Sequence, residues 1–205
     1  PPAFRIAQAY SKRKINFLEA QLREVKERRS VLRKERQKKE IPTVAVVGYT
    51  NAGKSTLVNA LCDSDVLAED KLFATLDTSV RRLVTPENRD FLFIDTVGFI
   101  KKLPHDLVEA FKSTLEETVY ADLLLHVVDC SNPDYEACID TVESILKEIG
   151  AENRPRYLVL NKIDRAPEGI FPSPRIVQGY GKVFRVSAVN GDGLEELREQ
   201  TINYF

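Results

Sequence analysis

Gly48-Tyr49-Thr50-Asn51-Ala52-Gly53-Lys54-Ser55 decides how this chain is read. An apolar run, Val44-Ala45-Val46-Val47, leads into it, and a helix-prone run, Ser55-Thr56-Leu57-Val58-Asn59-Ala60-Leu61, leads out. G-x-x-x-x-G-K-[ST] set between a strand and a helix is the phosphate-cradling P-loop. Gly48 and Gly53 let the backbone turn tightly and bring its N–H groups against phosphate oxygens. The helix behind the loop presents its positive end to the anion. Asn51, Ala52, Gly53, Lys54, Ser55 and Thr56 are therefore the expected phosphate-binding residues. Lys54 supplies a point charge for the β- and γ-phosphates, and the Ser55 hydroxyl is an expected Mg²⁺ ligand.

Two further strand ends carry motifs. Asp95-Thr96-Val97-Gly98 follows Phe91-Leu92-Phe93-Ile94. An acidic residue there holds Mg²⁺ through water, and Gly98 lets a backbone N–H approach the γ-phosphate. Asn161-Lys162-Ile163-Asp164 follows Tyr157-Leu158-Val159-Leu160. The Asp164 carboxylate accepts from the N1–H and 2-amino groups of guanine, donors that adenine lacks at those positions. Lys162 is expected to cover the base plane and Asn161 to tie this loop to the P-loop. Ser187-Ala188-Val189, after the last apolar run, is the expected backbone contact to the guanine oxygen. Between the first two motifs, Phe73-Ala74-Thr75-Leu76-Asp77-Thr78 is the candidate segment that senses the γ-phosphate. Thr75 is its first-choice Mg²⁺ ligand and Thr78 the second. Lys54, Thr75 and Gly98 are the expected catalytic set, with Ser55, Thr75 and Asp95 as the metal set.

Working outward, apolar runs fall at 43–47, 91–95, 123–129, 157–161 and 183–187, and helical patterns at 54–62, 106–120, 135–149 and 193–204. Pro86-Glu87-Asn88-Arg89-Asp90 reads as a hairpin turn. This alternation predicts a three-layer α/β domain over 42–205, with a mainly parallel, six-stranded sheet. Residues 5–40 read as one long, coiled-coil-like helix, part of an arm over 1–41. Ile15, Leu18, Leu22, Val25 and Leu32 form its apolar seam.

Residues 1–40 hold 13 Lys/Arg against 5 Asp/Glu, about +8, while the remainder holds 17 against 26, about −9. The net charge of −1 thus conceals a basic arm joined to an acidic domain. The arm is either a solvated face or a contact for phosphate backbone. A hydrophobic content of 43% supports a core. No apolar run is long enough to span a membrane, and the N-terminus carries no secretory pattern. Cys62, Cys130 and Cys138 form no C-x-x-C pair, which points to reduced thiols and a cytoplasmic protein. The chain neither begins with methionine nor contains one, which suggests a truncated or engineered sequence, or one from which residues are missing.

The motifs together resemble the HflX family of translational GTPases, within the Obg–HflX group. The specific stretches are the P-loop, Leu72-Phe73-Ala74-Thr75-Leu76-Asp77, Asp95-Thr96-Val97-Gly98-Phe99-Ile100 running into Leu103-Pro104-His105, and Phe111-Lys112-Ser113-Thr114-Leu115-Glu116-Glu117. The family's N-terminal α/β domain and the glycine-rich segment before its long helix have no counterpart here. Where the family has Pro-Thr-Thr after Asp77, this chain reads Thr78-Ser79-Val80. The resemblance implies GTP and GDP as ligands, and the large ribosomal subunit and its rRNA as partners. It also implies a role in splitting or rescuing stalled ribosomes.

Two residues bear on rate. Phe99 stands where many small GTPases place a water-orienting glutamine, and an apolar side chain cannot polarise water. Slow intrinsic hydrolysis and stimulation by a partner are expected; the alternative is a binding switch with negligible turnover. Asn51 matches an asparagine that coordinates K⁺ in related GTPases, although it also suits a simple turn cap. His126 lies inside an apolar run and reads as structural, while His105 reads as a conformational or partner contact.

Overall fold

The computed structural model describes residues 17, 20, 21, 24, 27, 31, 40–62, 79–96, 98, 99, 115 and 117–205. The chain divides into two units, Pro1–Ile41 and Pro42–Phe205. In the first unit the described positions 17, 20, 21, 24, 27 and 31 are helical and exposed. The expected seam residues Ile15, Leu18, Leu22, Val25 and Leu32 lie outside the described residues.

The described residues of the second unit form six strands: β1 Thr43–Gly48, β2 Ser79–Val84, β3 Asp90–Asp95, β4 Leu123–Asp129, β5 Arg156–Asn161 and β6 Lys182–Arg185. Their order across the sheet is β2-β3-β1-β4-β5-β6. Among the described residues only the β2–β3 pair is antiparallel. It is closed by the expected turn, in which Thr85 N donates to Arg89 O at 3.0 Å. Four helices of the described residues are α1 Lys54–Leu61, α2 Tyr135–Glu148, α3 Pro174–Val177 and α4 Leu194–Ile202. The short α3, with proline in its first turn, was not visible as periodicity because four residues make barely one turn. The expected helix over 106–120 is described only at 115 and 117–120, all helical.

Side-chain alternation explains the layers. Val44 and Val46 point to one face of β1 and pack with Leu57, Val58 and Leu61 of α1 and Leu197 of α4. Ala45 and Val47 point to the other face and join Val142 and Leu146 of α2. A strand covered on both sides has no polar face, which is why β1 reads as an unbroken apolar run. Each such buried aliphatic side chain contributes roughly 1.5–3 kcal/mol. The chain moves from β1 to one side of the sheet, through β3, and then crosses to β4 on the other side. This reversal leaves a crevice at the carboxyl ends of β1 and β4, the general position of ligand sites in such sheets. Among the described residues no helix is long and apolar enough to cross a membrane.

Candidate functional site

The loop after β1 is shaped by what glycine lacks. A Cβ on Gly48 would lie 2.2 Å from Val127 O, and one on Gly53 would lie 2.3 Å from Asn161 Nδ2. Gly53 also holds φ 89°, which L side chains rarely adopt. A Cβ on Gly98 would meet Thr50 Cα at 2.9 Å and Lys54 Nζ at 3.0 Å. Glycine at 98 therefore lets the segment after β3 lie directly against the phosphate loop. Two backbone bonds fix that approach: Thr50 N donates to Phe99 O at 2.8 Å, and Phe99 N to Gly48 O at 3.1 Å.

Lys54 and Ser55 open α1 beneath this loop. Lys54 Nζ donates to Tyr49 O at 3.1 Å, and burial lowers its amine to about 8 while the Asp95 carboxylate pulls the other way. Ser55 Oγ donates to Asp95 Oδ2 at 2.6 Å, which joins two of the three expected metal ligands. Thr56 follows Ser55 in the same helix. Asn51 holds a left-handed φ of 61° at the exposed tip of the loop, beside the buried Ala52. Phe99 is buried in the core with Val47 and Leu115. Thr75, Thr78 and His105 lie outside the described residues.

The ends of β5 and β6 form the opposite wall. Asn161 Nδ2 donates to Ala52 O at 2.9 Å, and Asn161 Oδ1 accepts from Ala188 N at 3.0 Å. One amide thus joins three loops, including the expected tie to the phosphate loop. Ser187 Oγ donates to Asp164 Oδ1 at 2.6 Å and accepts from Asn190 N at 3.2 Å, so the Asp164 carboxylate is held on one side. Lys162 Nζ donates to Asn51 O at 2.8 Å and pairs with Asp129 Oδ2 at 2.8 Å. Val189 stands 73% exposed, with its side chain outside the web.

Asp129 is the residue that sequence reasoning passed over. Its signal is an acidic residue closing the apolar run of β4, the same signature that drew attention to Asp95.

A sequence profile described as 50S ribosome-binding GTPase matches residues 43–162, more than half of the chain. The chain belongs to the 50S ribosome-binding GTPase family. Within it, a protein named GTPase HflX from Caldanaerobacter subterraneus is 50% identical over 95% of this chain and 44% of its own length. GTPase HflX from Lacrimispora saccharolytica is 52% identical over 90% of this chain and 43% of its own length. The chain therefore spans less than half the length of these curated relatives. A GTP-binding protein from the archaeon Sulfolobus solfataricus, solved in complex with GDP, superposes with a TM-score of 0.64 at 30% identity. That match covers 85% of this chain and 56% of the other. The HflX resemblance carried by the motifs and the GTPase fold predicted from them both stand.

His126 and Cys130 are packed inside the sheet and its flanking loop. His126 is fully buried in β4 with Nδ1 2.7 Å from the Tyr180 hydroxyl, and Tyr180 donates to Glu143 Oε1 at 2.7 Å. Tyr180 has one proton to give, so Nδ1–H of His126 donates to it. Burial pushes the His126 imidazole below its ordinary value, against the pull of Glu143, and keeps it neutral. Cys62, Cys130 and Cys138 are not joined in disulfides. Burial raises Cys130 to about 11, and its Sγ donates to Asn161 O at 3.0 Å, as an inert packing group would.

Proposed function

We propose that this chain binds GTP and GDP and hydrolyses GTP to GDP and phosphate, and that its nucleotide state governs association with the large ribosomal subunit. The observation that carries the choice of guanine is Asp164, held by Ser187 on one carboxylate oxygen. The other oxygen, 3.6 Å from Nε of the exposed Arg165, keeps the capacity to accept from the base, where adenine offers no matching donor. Asn161, Lys162, Ser187, Ala188 and Val189 complete the base end, and Asn51, Ala52, Gly53, Lys54, Ser55 and Thr56 the phosphate end.

The Ser55 hydroxyl and Asp95 carboxylate form a hard oxygen donor set, which suits Mg²⁺. Together with Thr75 they would hold the ion, which when bound neutralises charge on the phosphates. The chain's own contribution is positioning. Lys54 binds the β- and γ-phosphates, and the Gly98 backbone N–H addresses the γ-phosphate. Phe99, being in the core, orients no water. Turnover is then slow until a partner completes the site. Asn51 is a candidate ligand for K⁺ beside the phosphates, which would make hydrolysis faster in K⁺ than in Na⁺ at equal ionic strength.

The basic arm, about +8 over residues 1–40, supports rRNA as the partner surface. With the HflX resemblance, it supports a role in splitting or rescuing stalled ribosomes in the cytoplasm. Single-turnover GTP hydrolysis with and without large ribosomal subunits tests this. A slow basal rate, strongly stimulated by subunits, is expected. A basal rate equal to the stimulated one would remove the partner-completed site. No hydrolysis in either arm would leave a nucleotide-dependent binding switch, the reading that the buried Phe99 favours second.

A further inference from the structure

Asp129 closes β4 at the mouth of the crevice, and both of its carboxylate oxygens are engaged. Oδ1 accepts from Ser131 N at 3.0 Å and from Ser131 Oγ at 2.5 Å, which sets the plane of the carboxylate. Oδ2 meets Lys162 Nζ at 2.8 Å. The same ammonium donates to Asn51 O at 2.8 Å, on a different loop. A Cβ on Gly53 would lie 3.8 Å from Lys162 Cε, so the lysine stem runs along the phosphate loop rather than into solvent.

From this geometry we infer that Asp129 is a positioning residue for GTP. It stretches Lys162 across the phosphate loop so that the lysine stem forms the floor under the guanine ring. The inference deepens the GTP-binding reading and rests on it.

A solvated ion pair is the rival account, since exposed pairs contribute little. Three features argue against it. The side chains of Lys162 and Asp129 are only 17% and 23% exposed. The carboxylate is pre-oriented by Ser131 before it meets the lysine. The bond from Lys162 to Asn51 O joins two residues that both hold left-handed backbone, at φ 65° and 61°. Side chains resist that region, so it persists where surrounding contacts over-determine it. The lysine is pinned at its head by two acceptors and at its backbone by a fixed turn. Its flexible stem then loses little freedom when a base stacks on it.

Titration of a fluorescent N-methylanthraniloyl GDP into the full chain, paired with steady-state hydrolysis, tests the inference. Asp129→Asn keeps the shape and removes the charge. It should raise Kd about tenfold, the scale of one charge-assisted hydrogen bond. It should raise KM by a similar factor while kcat falls less than threefold. On a Lys162→Ala background, Asp129→Asn should add less than twofold. Ser131→Ala, which loosens the carboxylate and preserves the ion pair, should raise Kd about threefold and also become silent without Lys162. That second variant carries the test if Asp129→Asn fails to fold. An unchanged Kd, or the same tenfold loss with and without Lys162, overturns the inference while leaving GTP binding intact. No binding by the wild-type chain removes both.

Discussion

The two walls of the crevice are built from different materials. The phosphate wall, residues 48–55, is a matter of backbone shape. Its glycines mark places where a single carbon would collide with Val127 O or Asn161 Nδ2. The base wall is a web of side chains from β4, β5 and the loop after β6: Asp129, Asn161, Lys162, Asp164 and Ser187. Phosphate is the same in every nucleotide, so a fixed backbone mould suffices to hold it. A base must be told apart from other bases, and that takes oriented acceptors.

The seam between the walls is where this contrast breaks hardest. Gly53→Ala places a methyl group against Asn161 at a φ of 89°. GDP affinity should fall more than ~100-fold, because the substitution strains the mould and displaces the amide that ties both walls. A loss under tenfold, read by calorimetry, would mean that the mould is not set by backbone shape.

Ser187→Ala touches only the base wall. It frees one oxygen of Asp164 and should weaken GDP about fivefold. Competition by inorganic tripolyphosphate should stay within twofold of wild type. Equal losses for both ligands would show that the walls are not separable.

The smallest expected effect belongs to the phosphate wall alone. In the proposed site phosphate would bind the charged form of Lys54, whose amine burial lowers to about 8. Above that value binding must take up a proton, so GDP affinity should fall about threefold from pH 7.5 to 8.5. Stability moves the other way, because between about 8 and 10.5 the unfolded chain holds more protons on this lysine and gains nothing from folding it neutral. The titration of Lys54 by itself would therefore not unfold the chain over that range, and a thermal melt at each pH separates the two effects. Flat affinity across that range would place the Lys54 ammonium away from the phosphates.

The same division governs what the sequence discloses. Backbone moulds need glycine at fixed spacing, so the phosphate loop and Gly98 were visible as letters. Parallel strands buried on both faces gave unbroken apolar runs, so the α/β sheet was visible too, while the hairpin showed through its turn residues, Pro86-Glu87-Asn88-Arg89-Asp90, because β2 is half-exposed. Asp129 was not, because an aspartate before Cys130-Ser131 also suits an ordinary turn, and its partner Lys162 lies on another strand's end. The last strand stops at Arg185, earlier than its apolar run. Val186 still donates to Leu160 O, but Ser187 N turns to Asp192 O and frees its hydroxyl to reach Asp164. Bonds within the loop replace the ladder there, which hydrophobicity alone does not record.

Asn161 has one more consequence, for the order of events during synthesis. Its amide joins Ala52 to Ala188, so the crevice cannot close until nearly all of this 205-residue stretch is available to fold. The phosphate loop lies early in this stretch, yet the proposed base site would be assembled only once β6 and the loop after it are in place. A nucleotide that binds only the closed crevice would then add its binding energy to the stability of the assembled sheet.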